Sequence, residues 1–138
     1  MSVKSLKRPI IMRMLGVPAT GLPLEKDSWT YDGSTLVVNL EKTRELSRTG
    51  GAVRIEGRGL PDRLLIVNGE DGKFHAYSNR CRHMGRRFDP VPDTDTVQCC
   101  SIMRATYDYS GARIAGPASG KLKTYGIETY DGKLIIRL

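Results

Sequence analysis

The chain has 138 residues, of which 39% are hydrophobic and 27% are charged, and its net charge is +7. This length suits a single globular domain, and the composition excludes a wholly disordered chain. Three cysteines, two of them adjacent, argue against a secreted disulfide framework and favour a reducing compartment, so we expect a cytoplasmic protein. No apolar run approaches 18 residues, so the sequence predicts no membrane span.

The N-terminal quarter of the chain is rich in helix-breaking residues. Pro9, Pro18 and Pro23 interrupt any long helix, and two glycines loosen what remains. We therefore expect residues 1–33 to form an irregular N-terminal arm that packs on a domain formed by residues 34–138.

From residue 35 the pattern changes to short apolar or alternating segments separated by turn residues, which is typical of an all-β domain. The dipeptides Asp71-Gly72 and Asp131-Gly132 are strong hairpin turn signals. The continuous apolar run at residues 64–67 predicts a strand that is buried on both faces. The predicted strands are residues 35–40, 52–56, 64–67, 73–78, 97–99, 105–109, 126–130 and 134–138, with one helical turn within residues 41–46.

One further segment combines acidic residues with proline. Asp89, Asp93 and Asp95 lie close to two prolines, and their spacing matches no calcium loop. We expect this segment to be a solvated turn.

Two loops at predicted strand ends carry soft metal ligands. Cys81 and His83 are one residue apart, and Cys100 is followed three positions later by Met103. Two residues spaced in this way on a tight loop can point in the same direction, and two such loops can hold an iron–sulfur cluster.

These ligands sit in a wider pattern. The first motif reads C-x-H-x-G-x-x-F, and the second follows C-x-x-H-G-x-x-F/Y-D except at two positions; a proline-bearing loop comes downstream. From about residue 37 to the C-terminus the chain therefore resembles a Rieske iron–sulfur domain. The residues that carry the resemblance are Cys81, His83, Gly85 and Phe88, then Cys100, Met103, Arg104, Tyr107 and Asp108, then Gly111, Gly116, Pro117, Ala118, Leu122 and Tyr125.

The resemblance implies an all-β, antiparallel β-sandwich or barrel with two ligand loops, residues 79–90 and 99–111, at the tip of a small cluster-binding subdomain. It also implies a [2Fe–2S] cluster whose irons are bound by two cysteines, Cys81 and Cys100, and by His83 together with the residue at position 103. Tyr107, Gly85 and Pro117 occupy the positions that surround these ligands.

Two residues depart from the family pattern. Met103 stands where the second histidine belongs, and Arg104 replaces a glycine. Four arrangements remain open: Met103 is the fourth ligand, Cys99 replaces it, the fold carries no metal, or Cys81, His83 and Cys100 hold a single zinc or iron ion.

The adjacent cysteines compete for the second motif. With Cys100 as the ligand, Tyr107 and Asp108 fall at their family positions, whereas Cys99 as the ligand would place Ile102 at the next ligand position. We therefore favour Cys100 and keep Cys99 as the alternative ligand.

Positive charge is concentrated near the two ligand loops. A basic surface there would steer the cluster tip onto an acidic redox protein, a reductase or an oxygenase. Nucleic acid is not the expected partner, because no aromatic residues are interleaved with the charges as stacking platforms. The residues predicted to dock the partner are Arg80, Arg82, Arg86, Arg87 and Arg104.

The sequence thus predicts a small Rieske-type ferredoxin that carries one electron at a time between a reductase and an oxygenase or another redox enzyme. It would not be an enzyme itself. The alternative is a Rieske-fold accessory subunit without a cluster, which would bind and shape a larger redox enzyme.

Overall fold

The computed structural model describes residues 4–81, 85–116 and 120–138. Within these residues, twelve short strands form three four-stranded antiparallel sheets, which confirms the predicted all-β fold. The strands are β1 (Trp29–Tyr31), β2 (Thr35–Asn39), β3 (Ala52–Ile55), β4 (Leu64–Asn68), β5 (Phe74–Ser78), β6 (Phe88–Val91), β7 (Thr96–Cys99), β8 (Thr106–Asp108), β9 (Arg113–Ala115), β10 (Thr124–Tyr125), β11 (Glu128–Tyr130) and β12 (Lys133–Arg137).

The first sheet has the strand order β1-β2-β12-β11, the middle sheet β10-β5-β4-β3, and the third sheet β6-β7-β8-β9. Both predicted Asp-Gly turns join neighbouring antiparallel strands, β4 to β5 and β11 to β12. The local turn chemistry therefore sets the register of one hairpin in the first sheet and one in the middle sheet.

Strand β4 lies between the two hydrophobic cores of the protein. Leu64 and Ile66 pack in a core that includes Leu36 of the first sheet, whereas Leu65 and Val67 pack in a second core with residues of the third sheet. The prediction of a strand buried on both faces is confirmed. Full burial of each such aliphatic side chain contributes about 1.5 to 3 kcal/mol.

The N-terminal arm contains one short helix, α1 (Ile10–Leu15). It forms because the six residues between Pro9 and Gly16 hold no helix breaker, and proline is tolerated where a helix begins. Two single 3-10 turns, Leu40–Lys42 and Arg44–Leu46, occupy the place of the predicted helical turn. None of the helices among the described residues has the length and apolar character needed to cross a membrane.

The acidic segment expected to be a solvated turn begins with a strand instead. Pro90 lies in β6, which is tolerated because β6 is an edge strand and the missing amide costs no ladder bond. Asp89 is buried, and its carboxylate accepts hydrogen bonds from the backbone amides of Ala19 and Thr20, each at 2.8 Å. This carboxylate therefore attaches the arm to the third sheet.

Candidate metal centre

The two predicted ligand loops lie side by side at one end of the third sheet. One loop connects β5 to β6 and the other connects β7 to β8, and Phe88 at the start of β6 pairs with Cys99 at the end of β7. The backbone amide of Cys100 donates to the carbonyl of Arg87 at 2.9 Å, which joins the second loop to the first. Antiparallel pairing of β6 with β7 thus brings the two motifs together.

All three cysteine side chains are buried at this end of the protein. Cys81 and Cys99 belong to the second core, and their thiols share a hydrogen bond. This bond and burial both raise the pKa of Cys99, whose thiol also donates to Ser101 Oγ at 3.3 Å. The structure therefore places Cys99 directly beside the first-motif cysteine.

Cys100 has a different environment. Asp89, Arg86, Arg87 and Arg13 all lie within electrostatic range of it. Burial is the main cause that raises the pKa of the thiol, and the negative charge of Asp89 raises it further. The backbone amide of Arg87 hydrogen-bonds to the sulfur and acts in the opposite direction, because it stabilises a thiolate. Neighbouring residues of an extended strand face opposite ways, which explains why Cys99 and Cys100 have different surroundings.

The structure positions some of the other predicted site residues. Arg82, His83 and Pro117 lie outside the described residues, so their placement stays a prediction. The side chain of Met103 is 50% exposed. Among residues 4–81, 85–116 and 120–138, no group of three or more His, Cys, Asp or Glu side chains is arranged to hold a metal ion.

Arg104 adopts a backbone conformation that favours glycine. Its φ angle is 56°, in the left-handed region, and it occupies the position at which the second motif normally has glycine. The loop thus has the backbone shape that a glycine would provide. This agreement supports the register in which Cys100, not Cys99, begins the second motif.

Tyr107 is fully buried beside the thiols. It belongs to the same core as Cys81 and Cys99, and its ring packs edge-on against Phe88 with centroids 5.6 Å apart. Gly85, the other described residue predicted to surround the ligands, has its carbonyl held by the guanidinium of Arg63. The backbone amide of Gly85 donates to the carbonyl of Cys81 at 2.7 Å, so both residues lie near that cysteine.

The predicted docking arginines fall into two groups. Arg80 and Arg104 are exposed. Arg87 instead forms hydrogen bonds to both carboxylate oxygens of Glu56, and Arg86 donates to the backbone carbonyls of the N-terminal arm. The guanidinium groups of Arg86 and Arg87 are therefore already hydrogen-bonded within the protein.

Sequence reasoning did not identify Arg13 as part of this region. Its side chain is 2% exposed, and its guanidinium donates to the carbonyl of Ser101 at 3.3 Å and to that of Cys99 at 3.4 Å. The signal available in the sequence was a lone arginine inside the apolar segment Ile10–Leu15.

The donors present suit an iron–sulfur cluster. Cysteine thiolates are the ligands that iron–sulfur centres use, and three buried cysteines lie where the two loops meet. The amide of Arg87 at the sulfur of Cys100 is the kind of contact that stabilises a ligating thiolate. The buried cysteine thiols are therefore chemically suited to bind an iron–sulfur cluster.

Comparison with solved structures identifies the fold. The ferredoxin of carbazole 1,9a-dioxygenase from Nocardioides aromaticivorans IC177 is 17% identical with a TM-score of 0.58, and the match covers 72% of this chain and 92% of that chain. The ferredoxin of Sphingomonas yanoikuyae B1 is 22% identical with a TM-score of 0.54, covering 68% and 93%. The quaternary ammonium Rieske monooxygenase CntA is 17% identical with a TM-score of 0.53, covering 79% of this chain but 31% of that chain.

A search of curated proteins finds no match. The family model of the Rieske [2Fe-2S] domain matches residues 36–126, a range that includes both ligand loops. The resemblance inferred from the two motifs is thereby confirmed at the level of the family. The chain belongs to the Rieske [2Fe–2S] domain family, whose cofactor is a [2Fe–2S] cluster.

Proposed function

We propose that the protein is a Rieske-type electron carrier that passes single electrons between a reductase and an oxygenase or another redox enzyme. The observation that carries the proposal is the meeting of two loops on adjacent strands that bury three cysteine thiols at one end of the domain. The comparisons support it, because the match extends over 92% of one ferredoxin and 93% of another.

In this proposal Cys81 and Cys100 hold one iron as thiolates, and His83 and Met103 hold the other. When bound, the cluster supplies a site that accepts and returns one electron. Cys99 is the alternative ligand, since its thiol lies against Cys81. The family position of Cys100 and the backbone angle of Arg104 favour the first assignment.

The remaining residues of the proposed site keep the ligands in place. Tyr107 and the second core exclude water from the thiols. Gly85 shapes the first loop, where its backbone amide donates to the carbonyl of Cys81 at 2.7 Å, and Pro117 is assigned to the site by the sequence motif alone. The domain proposed from the sequence comprises residues 34–138. The proposed arm, residues 1–33, adds β1 (Trp29–Tyr31) to the first sheet of that domain by pairing with β2. Rigid strands on both sides of the loops limit the movement of the ligands, which is what fast electron transfer requires.

The proposed partner is an acidic redox protein. Arg80 and Arg104 are exposed near the two loops and give this end of the protein positive charge. Arg82 is assigned to the same docking surface on the basis of its sequence position alone. Arg86 and Arg87 contribute to the positive field from partly buried positions rather than as contact residues.

Two observations favour a second candidate, an accessory subunit without a cluster. Met103 is half exposed, and the thiols of Cys81 and Cys99 already share a hydrogen bond with each other. The hydrogen bond between the two thiols would stabilise the same fold in the absence of metal.

The two candidates differ in whether the protein stores an electron. We expect the anaerobically purified protein to take up one electron per chain from dithionite and return it to ferricyanide through repeated cycles. Cys81→Ser is the control, and we expect it to store none. A wild-type protein that also stores no electron would favour the accessory subunit.

A further inference from the structure

Helix α1 exposes its apolar side chains and buries its charged one, which is the reverse of an ordinary surface helix. Ile10, Ile11 and Leu15 are each more than 60% exposed, whereas Arg13 is the one residue of the helix that is buried. A surface helix normally turns its apolar face inward and its charges outward. The side chain that anchors this helix to the protein is therefore the buried guanidinium of Arg13.

The buried guanidinium is bound by neutral oxygens. Its Nη2 donates to the carbonyl of Leu6 at 2.6 Å and to Oε1 of Gln98 at 3.0 Å, and its Nη1 donates to the carbonyls of Cys99 and Ser101. Its Nε has no hydrogen-bond partner among the described residues. A buried charge without a bound carboxylate is costly, so a purely structural role is a poor explanation of it.

The contacts of Arg13 centre on one proposed ligand. Ser101 and Cys99 flank Cys100, so the guanidinium binds the backbone on both sides of that cysteine. Arg104 and Arg8 also lie within electrostatic range of Arg13, whereas Asp89 is the acidic group that opposes them. The charged groups around the guanidinium are therefore two arginines, the carboxylate of Asp89 and the thiol of Cys100.

The helix is also bound to the first ligand loop. Arg86 of that loop donates to the carbonyl of Arg13 at 3.1 Å and to that of Met14 at 3.0 Å. One arginine therefore extends from the helix to the second loop, and another extends from the first loop to the helix. Helix α1 joins the two loops at the site where they meet.

We propose that Arg13 is a positioning residue that clamps the second ligand loop and, through its buried positive charge, raises the reduction potential of the cluster. The inference rests on the proposed electron-carrier function. Reduction adds one negative charge to a cluster, and a fixed positive charge in a poorly solvated site stabilises that added charge. Net charge and hydrogen bonding around the ligands are known determinants of cluster potential.

Two variants test the clamp and the charge in different ways. Arg13→Gln removes the charge and most of the hydrogen bonds. Gln98→Glu retains an acceptor for Arg13 but places a carboxylate against it, so the arm stays attached while the charge is neutralised. Lys7→Gln is the control, because it removes one positive charge from an exposed side chain of the same arm.

Each variant is assayed for iron and acid-labile sulfide, for midpoint potential by an EPR-monitored titration, and for release of the arm by limited proteolysis. We expect a lower potential in Arg13→Gln and in Gln98→Glu, and a potential near that of the wild type in Lys7→Gln. The arm should be released in Arg13→Gln alone. If Arg13→Gln holds no cluster, the midpoint potential of Gln98→Glu alone shows whether the charge of Arg13 affects the cluster.

Three results would overturn the inference. Unchanged potentials in both variants would show that Arg13 only attaches the arm. An equal decrease in Lys7→Gln would show that any charge of the arm has the same effect. A wild-type protein without iron or sulfide would overturn the electron-carrier proposal and this inference together, whereas the first two results leave the electron-carrier proposal standing.

Discussion

Arg87 and Glu56 form a bidentate ion pair, with Nε to Oε2 and Nη2 to Oε1 distances of 2.7 Å each. Glu56 directly follows β3 of the middle sheet, and Arg87 directly precedes β6 of the third sheet. Both side chains are less than one-third exposed. The pair therefore ties the end of the first ligand loop to the neighbouring sheet.

This pair makes the stability of the protein sensitive to acid. The hydrogen bond from Arg87, aided by Arg54, lowers the pKa of Glu56 from 4.5 to about 2, although burial acts in the opposite direction. A carboxylate with a lowered pKa in the folded state contributes stability above its unfolded value and loses it as the pH falls. We expect the free energy of unfolding to fall by about 2 to 3 kcal/mol between pH 4.5 and pH 2 from this group.

Urea denaturation of wild type and Glu56→Gln across this pH range checks the prediction. The variant should be less stable than the wild type at pH 7 and should show a flatter dependence on pH. Glu128→Gln is the control, since Glu128 pairs with Arg137 at 2.6 Å on an exposed surface and should matter little. Identical acid profiles for wild type and Glu56→Gln would contradict the assignment.

The ligand assignment predicts different effects for the two adjacent cysteines. Cys100→Ser removes a proposed thiolate ligand, so we expect iron and sulfide to be lost. Cys99→Ser removes a core thiol, so the cluster should remain, with some loss of thermal stability. The iron and acid-labile sulfide contents of both purified variants test this prediction. The reverse outcome would assign the ligand role to Cys99, beside Cys81.

Gly111 occupies a turn in which both backbone angle and space require glycine. Its φ angle is 91°, and an added Cβ would lie 2.4 Å from the carbonyl oxygen of Leu122. We expect Gly111→Ala to lower the free energy of unfolding by about 2 to 4 kcal/mol, as measured by chemical denaturation. Leu122 packs in the second core with Cys81, so cluster retention should fall as well.

Gly33 provides the matched comparison. Its φ angle is 99°, but no atom lies within 4 Å of an added Cβ. Gly33→Ala therefore carries the backbone strain without the steric clash and should cost about 1 to 2 kcal/mol. Equal losses in the two variants would show that the close approach of Leu122 is unimportant.

The exposed arginines predict a charge-dependent rate of electron transfer. Arg80→Glu combined with Arg104→Glu should slow oxidation of the reduced protein by ferricyanide, an anion, and should speed oxidation by hexaamminecobalt(III), a cation. Stopped-flow rates at several salt concentrations give the measurement, because added salt should reduce both effects.

The control for this prediction changes the same number of charges at a distance from the loops. Lys133→Glu combined with Arg137→Glu alters two exposed side chains of β12, in the sheet that does not carry the ligand loops. Its rates should stay close to those of the wild type. Equal responses of the two double variants would show that only net charge matters.

The sequence predicts much of the fold because the relevant signals are local. Asp71-Gly72 and Asp131-Gly132 specify turns by their own backbone preferences, and the apolar run at residues 64–67 specifies burial on both faces of a strand. Strands β1, β6, β9 and β10 are not among the predicted strands. For β6 the misleading signal is a proline. Pro90 is a strand breaker in most settings, and only the position of β6 at a sheet edge makes it acceptable.

The candidate site is predicted less completely, because several of its contacts connect distant parts of the chain. Arg13 binds backbone groups more than 80 residues away, and Asp89 binds amides about 70 residues away. No local pattern encodes such pairings. A basic residue in an apolar segment and an acidic residue beside a proline are as typical of a solvated surface as of a buried contact.

Iron and acid-labile sulfide, measured on anaerobically purified wild-type protein together with an EPR spectrum of the reduced state, test the central claim most directly. The electron-carrier proposal predicts two irons and two sulfides per chain and the signal of a reduced Rieske-type [2Fe–2S] centre. A colourless, folded protein that contains neither element would contradict it and would leave the accessory subunit as the supported function.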